Sequence, residues 1–255
     1  MGDTSGPAAF IEACGYLNRG IADVVVVAAA GSRLNATRAL FTEDQPIASI
    51  CNPPSRSSRP HAVDADGLVR GEGAGGLIVE RAESAKVRNC KPIAKIAGHA
   101  SRFVPSPAFG RDERTAEIRP DAGRGSTAAV LAAARGALSM AGITADELGA
   151  IVAHGYGDPV IDASERAAVL ELAADVPVAL PASAVGHTSA ASGMMGLLAA
   201  CVIVREQTVL PVHHAEDCAE GLNVSDRSRK LKKPFVLAFA HTSAGNATAI
   251  VLERP

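Results

Sequence analysis

The sequence predicts an α/β protein, because helix-like segments alternate with apolar, strand-like runs along the chain. The run ADVVVVAAAG at residues 22–31 is too uniformly apolar for a half-exposed strand and is typical of one covered on both faces. Residues 126–142 are alanine-rich and have the helix-capping residues Ser126 and Gly142 at their ends. At 255 residues and 47% hydrophobic, the chain is long enough to bury a sizeable core.

The chain begins with an amphipathic segment. Phe10, Cys14 and Leu17 recur on one helical face before Gly20, which predicts a helix over residues 5–19. The further elements expected before residue 101 are the strand at 22–31, a short helix at 35–42, a Pro- and Ser-rich loop at 51–60, a Gly-rich turn and strand within 71–84 and a strand within 91–100.

The second half begins at the predicted helix over residues 126–142. Thr144 and Glu147 have the spacing of a capping box, and a strand at 149–153 follows them. The remaining predicted elements are a helix around 161–174, a strand at 176–180, a helix at 190–205 and strands at 235–240 and 247–253.

Two stretches of the first half reappear in the second. AGGLIVER at 74–81 is similar to ATAIVLER at 247–254, and SGPAAFIEAC at 5–14 is similar to SGMMGLLAAC at 192–201. The two pairs occur in the same order, with the helix-like stretch first in each half. This order indicates two similar halves built from one α/β unit.

Composition argues against several classes of partner. A formal net charge of −2 gives no attraction to nucleic acid. The longest apolar stretch, residues 194–204, is shorter than the ~18 residues of a membrane span, and no secretory signal is recognisable. The five cysteines are scattered without a CxxC pair, as in proteins with reduced thiols. We therefore expect a cytoplasmic protein that binds neither membrane nor nucleic acid.

Four motifs carry groups suited to chemistry. DTSG at residues 3–6 opens a helix, HGYGDPVIDASE at 154–165 follows a strand, and GHTSAASG at 186–193 precedes a helix. The fourth, RPHAVDADGLVRGEGAG at 59–75, is a Gly-rich loop. In their order and spacing these motifs resemble the β-ketoacyl-acyl carrier protein synthases, the condensing enzymes of the thiolase superfamily. The resemblance implies a thiolase-like layered fold of two similar α/β halves.

The resemblance also implies an active site. In the family, a Cys at a helix N-terminus takes the acyl group, two His stabilise the enolate formed by decarboxylation, and a Lys bonded to a Glu organises the His. The two His fall on His154 and His187, and the Glu falls on Glu165. Asp3 stands at the nucleophile position and Ala182 at the Lys position. Because a carboxylate is a poor nucleophile towards a thioester, we expect Asp3 to be inactive there.

Each of these residues also has a purely structural interpretation. Asp3 would serve as a helix N-cap or near-cap residue, and Glu165 as an ordinary acid in the first turn of a helix. His154 and His187 would be buried histidines held by backbone hydrogen bonds. His213 and His214 are adjacent, so they do not face one site, and we expect them in a solvated loop.

The resemblance begins at the family's nucleophile motif, so the first half is expected to be incomplete. Residues 1–100 are then the remainder of the N-terminal half, 101–125 a connecting loop and 126–255 the C-terminal half. The strand at 22–31 would have an unpaired apolar edge, which another chain would need to cover.

Three functions are compatible with these motifs. The first is a β-ketoacyl-synthase-like protein of fatty acid or polyketide synthesis, impaired in condensation and acting as a chain-length-factor-like partner subunit. The second is a malonyl-carrier-protein decarboxylase or residual acyltransferase that uses His154 and His187. The third is a non-catalytic fragment or one half of a split ketosynthase. No cofactor is expected beyond the phosphopantetheine thioester of an acyl carrier protein, which is an expected partner. We also expect a homodimer, or a heterodimer with a ketosynthase.

Overall fold

The structure is a computed structural model and describes residues 2–37, 46–107 and 124–255. Its α-helices are α1 (Ser5–Asn18), α2 (Ala82–Val87), α3 (Thr127–Ala141), α4 (Pro159–Ala173), α5 (Ala182–Val185) and α6 (Ser192–Glu206). Its strands are β1 (Val24–Ser32), β2 (Glu72–Glu80), β3 (Lys95–Phe103), β4 (Leu148–Val152), β5 (Val178–Ala179), β6 (Thr208–Val209), β7 (Arg229–Lys230), β8 (Phe235–His241) and β9 (Asn246–Glu253).

A five-stranded sheet with the order β3-β9-β8-β4-β5 forms the centre of the fold. β8 runs parallel to β4 and antiparallel to β9. Because side chains alternate along a strand, Leu237 and Phe239 of β8 face a core shared with α3, while Val236 and Ala238 face a core shared with α1 and α6. The sheet is therefore covered on both faces, as its uniformly apolar strands predict.

The helix caps predicted from the sequence are confirmed. The Ser126 hydroxyl accepts a hydrogen bond from the Ala129 amide at the start of α3, and Gly142 ends the helix in the left-handed conformation with a φ of +69°. Thr144 and Glu147 form the capping box, although the helix that they cap is a single 3₁₀ turn, Ala145–Glu147. Local sequence therefore determines these boundaries.

β1 and β2 form a separate antiparallel pair, in register from Val24 opposite Glu80 to Ser32 opposite Glu72. α1 packs against this pair, and Val27 and Val79 are buried there. The opposite face is exposed, with Val26 at 72% and Ile78 at 64% exposure. The prediction of a strand covered on both faces is wrong for β1, because no described element packs on its second face.

The similar stretches of the two halves form matching elements. Residues 5–14 and 192–201 lie in α1 and α6, and residues 74–81 and 247–254 coincide closely with β2 and β9. The two helices also touch at their N-terminal ends, where a Cβ at Gly6 would lie 2.9 Å from Met194 Cβ and a Cβ at Gly193 would lie 2.7 Å from the Asp3 carbonyl oxygen. Glycine at the corresponding position of each helix thus permits this close approach.

Several predicted boundaries need correction. Residues 101–103 belong to β3 rather than to a connecting loop, and residue 100 lies inside this strand, which pairs with β9. The five-stranded sheet therefore combines β3, from the predicted N-terminal half, with four strands of the predicted C-terminal half. Most of the short helix expected at 35–42, and positions 108–123 of the expected loop, lie outside the described residues.

Residues 189–206 are long and apolar enough to cross a membrane by length and composition. The expectation that no stretch of this length occurs was wrong, because the helical region begins before the apolar run 194–204. In this structure, 56% of the stretch is buried and α6 packs against β8 and α1. This packing is that of a core helix.

Candidate active site

The candidate site lies where β4, β8 and the start of α1 approach one another. His154 lies two residues beyond the end of β4, His241 is the last residue of β8, and Asp3 lies in the 3₁₀ turn Gly2–Thr4 before α1. All three residues are buried. Gly155 has a φ of +65°, which lets the chain turn immediately after His154.

The Gly-rich loop positions His187. The His187 amide donates to the Val69 carbonyl oxygen at 2.8 Å, and the Gly71 amide donates to the His187 carbonyl oxygen at 3.1 Å. A Cβ at Gly71 would lie 2.4 Å from the Val185 carbonyl oxygen, so glycine is needed at this contact. The loop that the sequence marks as unusual therefore holds a site histidine in place.

The proton of the His187 ring is on Nε2. Its Nδ1 accepts a hydrogen bond of 3.3 Å from the Ser189 amide, so Nδ1 carries the lone pair and Nε2 carries hydrogen in the neutral ring. Nε2 lies 3.6 Å from Asp3 Oδ2. The ring is thus arranged to donate towards an oxygen at the centre of the site.

Three donors converge on the Asp3 carboxylate. The Tyr156 hydroxyl donates to Oδ2, His187 Nε2 faces the same oxygen, and Arg33 Nη2 lies 3.8 Å from Oδ1. Burial raises the pKa of Asp3, but the nearby His187 and His154 and the Tyr156 hydrogen bond outweigh it and hold that pKa well below its ordinary value. Asp3 is not the N-cap of α1 but directly precedes it, as a near-cap residue does: Thr4 is the N-cap, and its side chain makes no capping hydrogen bond.

The Tyr156 ring packs against three histidine rings. Its centroid lies 4.9 Å from that of His154, 4.7 Å from that of His187 and 5.5 Å from that of His241. Tyr156 is only 3% exposed, and its hydroxyl is also 3.0 Å from the His241 carbonyl oxygen. A buried phenol thus contacts all three imidazoles.

Glu165 is fully buried in the second turn of α4, so the first-turn interpretation is wrong. His61 Nε2 lies 3.1 Å from Oε1, His241 Nε2 contacts Oε2, and the Gly155 amide donates at 3.2 Å. Burial raises the pKa of Glu165, but the hydrogen bonds to His241 and His61 outweigh it and lower that pKa well below its ordinary value. Two imidazoles thus contact the Glu165 carboxylate, one at each oxygen.

His61 links the Gly-rich loop to α4. Its amide donates to Asp162 at 2.8 Å, and its ring contacts Glu165. Burial lowers the pKa of His61, but the charge of Asp162 and the bond to Glu165 outweigh burial and raise it. His61 adopts a φ of +63°, an uncommon conformation that the surrounding hydrogen bonds maintain.

His154 is held in its neutral form. Burial, followed by the neighbouring His241 and His187, lowers the pKa of His154 to about 3. Its Nε2 is buried and has no hydrogen-bond partner within the described part of the chain. The ring therefore contributes a neutral edge to the site rather than a positive charge.

Asp3, His154 and His187 also have the composition of a metal site, with donor atoms within 4.8 Å of one another. A metal ligand needs a free lone pair, whereas His187 presents Nε2–H to Asp3 because Ser189 donates to Nδ1. Ligating histidines normally donate their second nitrogen instead. The cluster is therefore better suited to binding an oxygen atom than to binding a metal ion.

The sequence-predicted residues Asp3, His154 and His187 meet in one cluster, and Glu165 lies beside it. Sequence reasoning missed other members. Tyr156 and His61 lie within two of the four motifs, and that position is the signal that could have found them; His241 lies outside the four motifs. Arg33 offers no such signal. His213 and His214 lie in a loop away from the cluster, as predicted.

Two family models match the chain. The N-terminal domain of beta-ketoacyl synthase matches residues 2–85, and its C-terminal domain matches residues 109–216. The chain belongs to the β-ketoacyl synthase family. The matched regions include Asp3, Arg33, His154, Tyr156 and His187 but not His241.

Among its relatives is the tetracenomycin polyketide synthase ketoacyl synthase alpha subunit of Streptomyces glaucescens, 33% identical over 267 residues. The match covers 100% of the present chain and 59% of the alpha subunit. The chain thus spans less than two thirds of the length of that protein.

Solved structures show the same fold. The ishigamide ketosynthase/chain length factor matches with a TM-score of 0.83 at 22% identity, covering 100% of this chain and 59% of that one. A chain from the structure of a type II polyketide synthase acyl-carrier protein in complex with its ketosynthase matches with a TM-score of 0.86 at 21% identity. This match covers 100% of the present chain and 62% of the other. These likenesses establish an α/β fold matching ketosynthase structures.

Proposed function

We propose that this protein does not condense acyl groups and acts in fatty acid or polyketide synthesis as a chain-length-factor-like partner subunit. One observation carries the proposal: the Tyr156 ring packs against both His154 and His187, and the Asp3 carboxylate lies next to the same two imidazoles. A substrate carbonyl would have to displace both groups to reach the two imidazoles.

The positions of the thiols support the same conclusion. None of the five cysteines is among the site residues around Asp3. Cys14 and Cys201 are buried in α1 and α6. Burial raises the pKa of each of these two thiols to about 11, so neither is a ready thiolate. Covalent acyl transfer therefore lacks its nucleophile at this site.

The test is an acyl-loading assay with and without a partner. We expect the purified chain, incubated with acyl-carrier-protein thioester, to gain no acyl mass by intact mass spectrometry. We also expect it to co-purify with a cysteine-bearing ketosynthase, which is itself loaded under the same conditions. An acyl adduct on this chain that proceeds to condensation with malonyl-carrier protein would overturn the proposal.

The partner would bind at the β1–β2 pair. In the five-stranded sheet, β8 pairs with β9 on one side and with the parallel strand β4 on the other. β1 pairs with β2 in the same antiparallel way, but no described strand occupies its other edge. We propose that β1 and β2 belong to a second, similar half, and that another polypeptide segment pairs with the edge of β1 that no described strand occupies. One half of a split ketosynthase remains a second candidate on this ground.

Charge on this surface should block the association. Val26→Lys places a cation on the exposed face of β1, so we expect less aggregation and a loss of ketosynthase binding by more than tenfold. Val87→Lys, at an 88% exposed position in α2, is the matched control and should bind normally. Equal binding by both variants, measured by size-exclusion chromatography and pull-down, would contradict this site.

A third candidate is decarboxylation without a covalent step. The neutral His154 and the Nε2–H of His187 are the groups that an enolate oxygen would need. We expect no CO₂ release from malonyl-carrier protein while Tyr156 and Asp3 fill the site. Release that disappears when both histidines are changed to Ala would favour the decarboxylase instead.

A further inference from the structure

The environment of Asp3 is that of a bound anion. Its carboxylate is buried among a guanidinium, a phenol and an imidazole N–H, supplied by Arg33 after β1, Tyr156 after β4 and His187 before α6. These donors come from separate parts of the chain. Asp3 does not use its carboxylate to cap the adjacent helix, so its interactions are directed to this surrounding shell.

The donors are prepared for an anion. Burial and the charge of Asp3 raise the pKa of Tyr156 well above its ordinary value, so the phenol keeps its proton. The Ser189 amide fixes the His187 proton on Nε2. Arg33 is always charged, and its side chain is only 8% exposed. A buried guanidinium is costly unless an anion accompanies it.

We propose that Arg33, Tyr156 and His187 form an internal carboxylate-binding site whose resident ligand is the Asp3 side chain. The site accepts one carboxylate, with Oδ1 towards Arg33 and Oδ2 towards Tyr156 and His187. A small external carboxylate occupies it when the Asp3 carboxylate is removed. While Asp3 is present, no substrate carboxylate enters this position. The inference does not depend on the role as a partner subunit.

We expect an added carboxylate to restore thermal stability to an Asp3 variant only when the carboxylate has the size of the atoms that the substitution removes. Asp3→Ala removes only the carboxyl group, which formate replaces, whereas Asp3→Gly also removes the methylene, which acetate replaces. We expect 100 mM formate to raise the Tm of Asp3→Ala by about 3 °C over chloride at equal ionic strength, and acetate to do so for Asp3→Gly. The wild-type protein should show no such preference.

The control removes the cation. In the double variant Asp3→Ala, Arg33→Met, the formate response should disappear, because the charge that holds the anion is gone. Equal shifts in the wild type and both Asp3 variants, no shift in either variant, or a shift that survives Arg33→Met would overturn the proposal.

If neither Asp3→Ala nor Asp3→Gly folds, a double-mutant cycle with Asp3→Asn and Arg33→Met decides the question. We expect the double variant to lose less Tm than the sum of the two single losses, because each single change leaves one buried group without its partner. Additive losses would overturn the proposal. All measurements use the full chain in the oligomeric form in which it purifies.

Discussion

Replacing Glu165 with Gln is expected to lower the free energy of unfolding by about 3–5 kcal/mol, because one partner of a buried ionic cluster loses its charge. Glu165 is 0% exposed and accepts hydrogen bonds from two imidazoles and the Gly155 amide. Gln keeps the volume but offers one acceptor oxygen, and its amide N–H groups face donors. The remaining oxygen can accept from one imidazole and the Gly155 amide, so the change leaves the other imidazole donor facing an N–H group.

Urea unfolding at pH 6 measures this effect. Glu171→Gln is the matched control, because Glu171 lies on the same helix and pairs with Arg135 at 2.8 Å in an exposed ion pair. Exposed pairs contribute little, so the control should lose less than about 1 kcal/mol. Similar losses in the two variants would show that the buried hydrogen bonds of Glu165 do not stabilise the fold.

The second large effect is a loss of stability as the pH rises above 6.5. The native pKa of His61 lies above its ordinary value of 6.5, so folding takes up a proton in the interval between the two values. The stability from this proton is fully present below pH 6.5 and is lost as the pH rises through the native pKa. The slope approaches but does not exceed about 1.4 kcal/mol per pH unit.

The proton that His61 gains goes to Nδ1, which has no hydrogen-bond partner among the described residues. The charge of Asp162 and the bond to Glu165 must therefore hold it in place. His61→Asn suits the positive φ and removes the titration, so its unfolding free energy should change less between pH 6.5 and 8.5 than that of the wild type.

His214→Asn is the control for this substitution, because His214 also has a positive φ, +60°, and lies outside the Glu165 cluster. It should keep the pH dependence of the wild type. An unchanged pH slope in His61→Asn would show that His61 does not take up the proton.

Three residues of the candidate site lie in short local motifs, so the sequence alone indicates them. Asp3, His154 and His187 were chosen from short motifs, and the structure brings them together. The partners of Glu165 were not predictable in the same way. His61 and His241 lie 104 and 76 residues from Glu165 along the chain, and only folding brings them to one carboxylate.

By itself, the sequence determined the α/β class, the capped ends of α3, the alternation of most helices and strands, and the absence of a cysteine from the DTSG motif. These properties depend on residues close together along the chain. The tertiary structure alone decided that Tyr156 packs against three histidines, that Arg33 faces Asp3, and that one face of β1 is exposed. Such contacts depend on which distant segments pack together, and local propensity does not encode that packing.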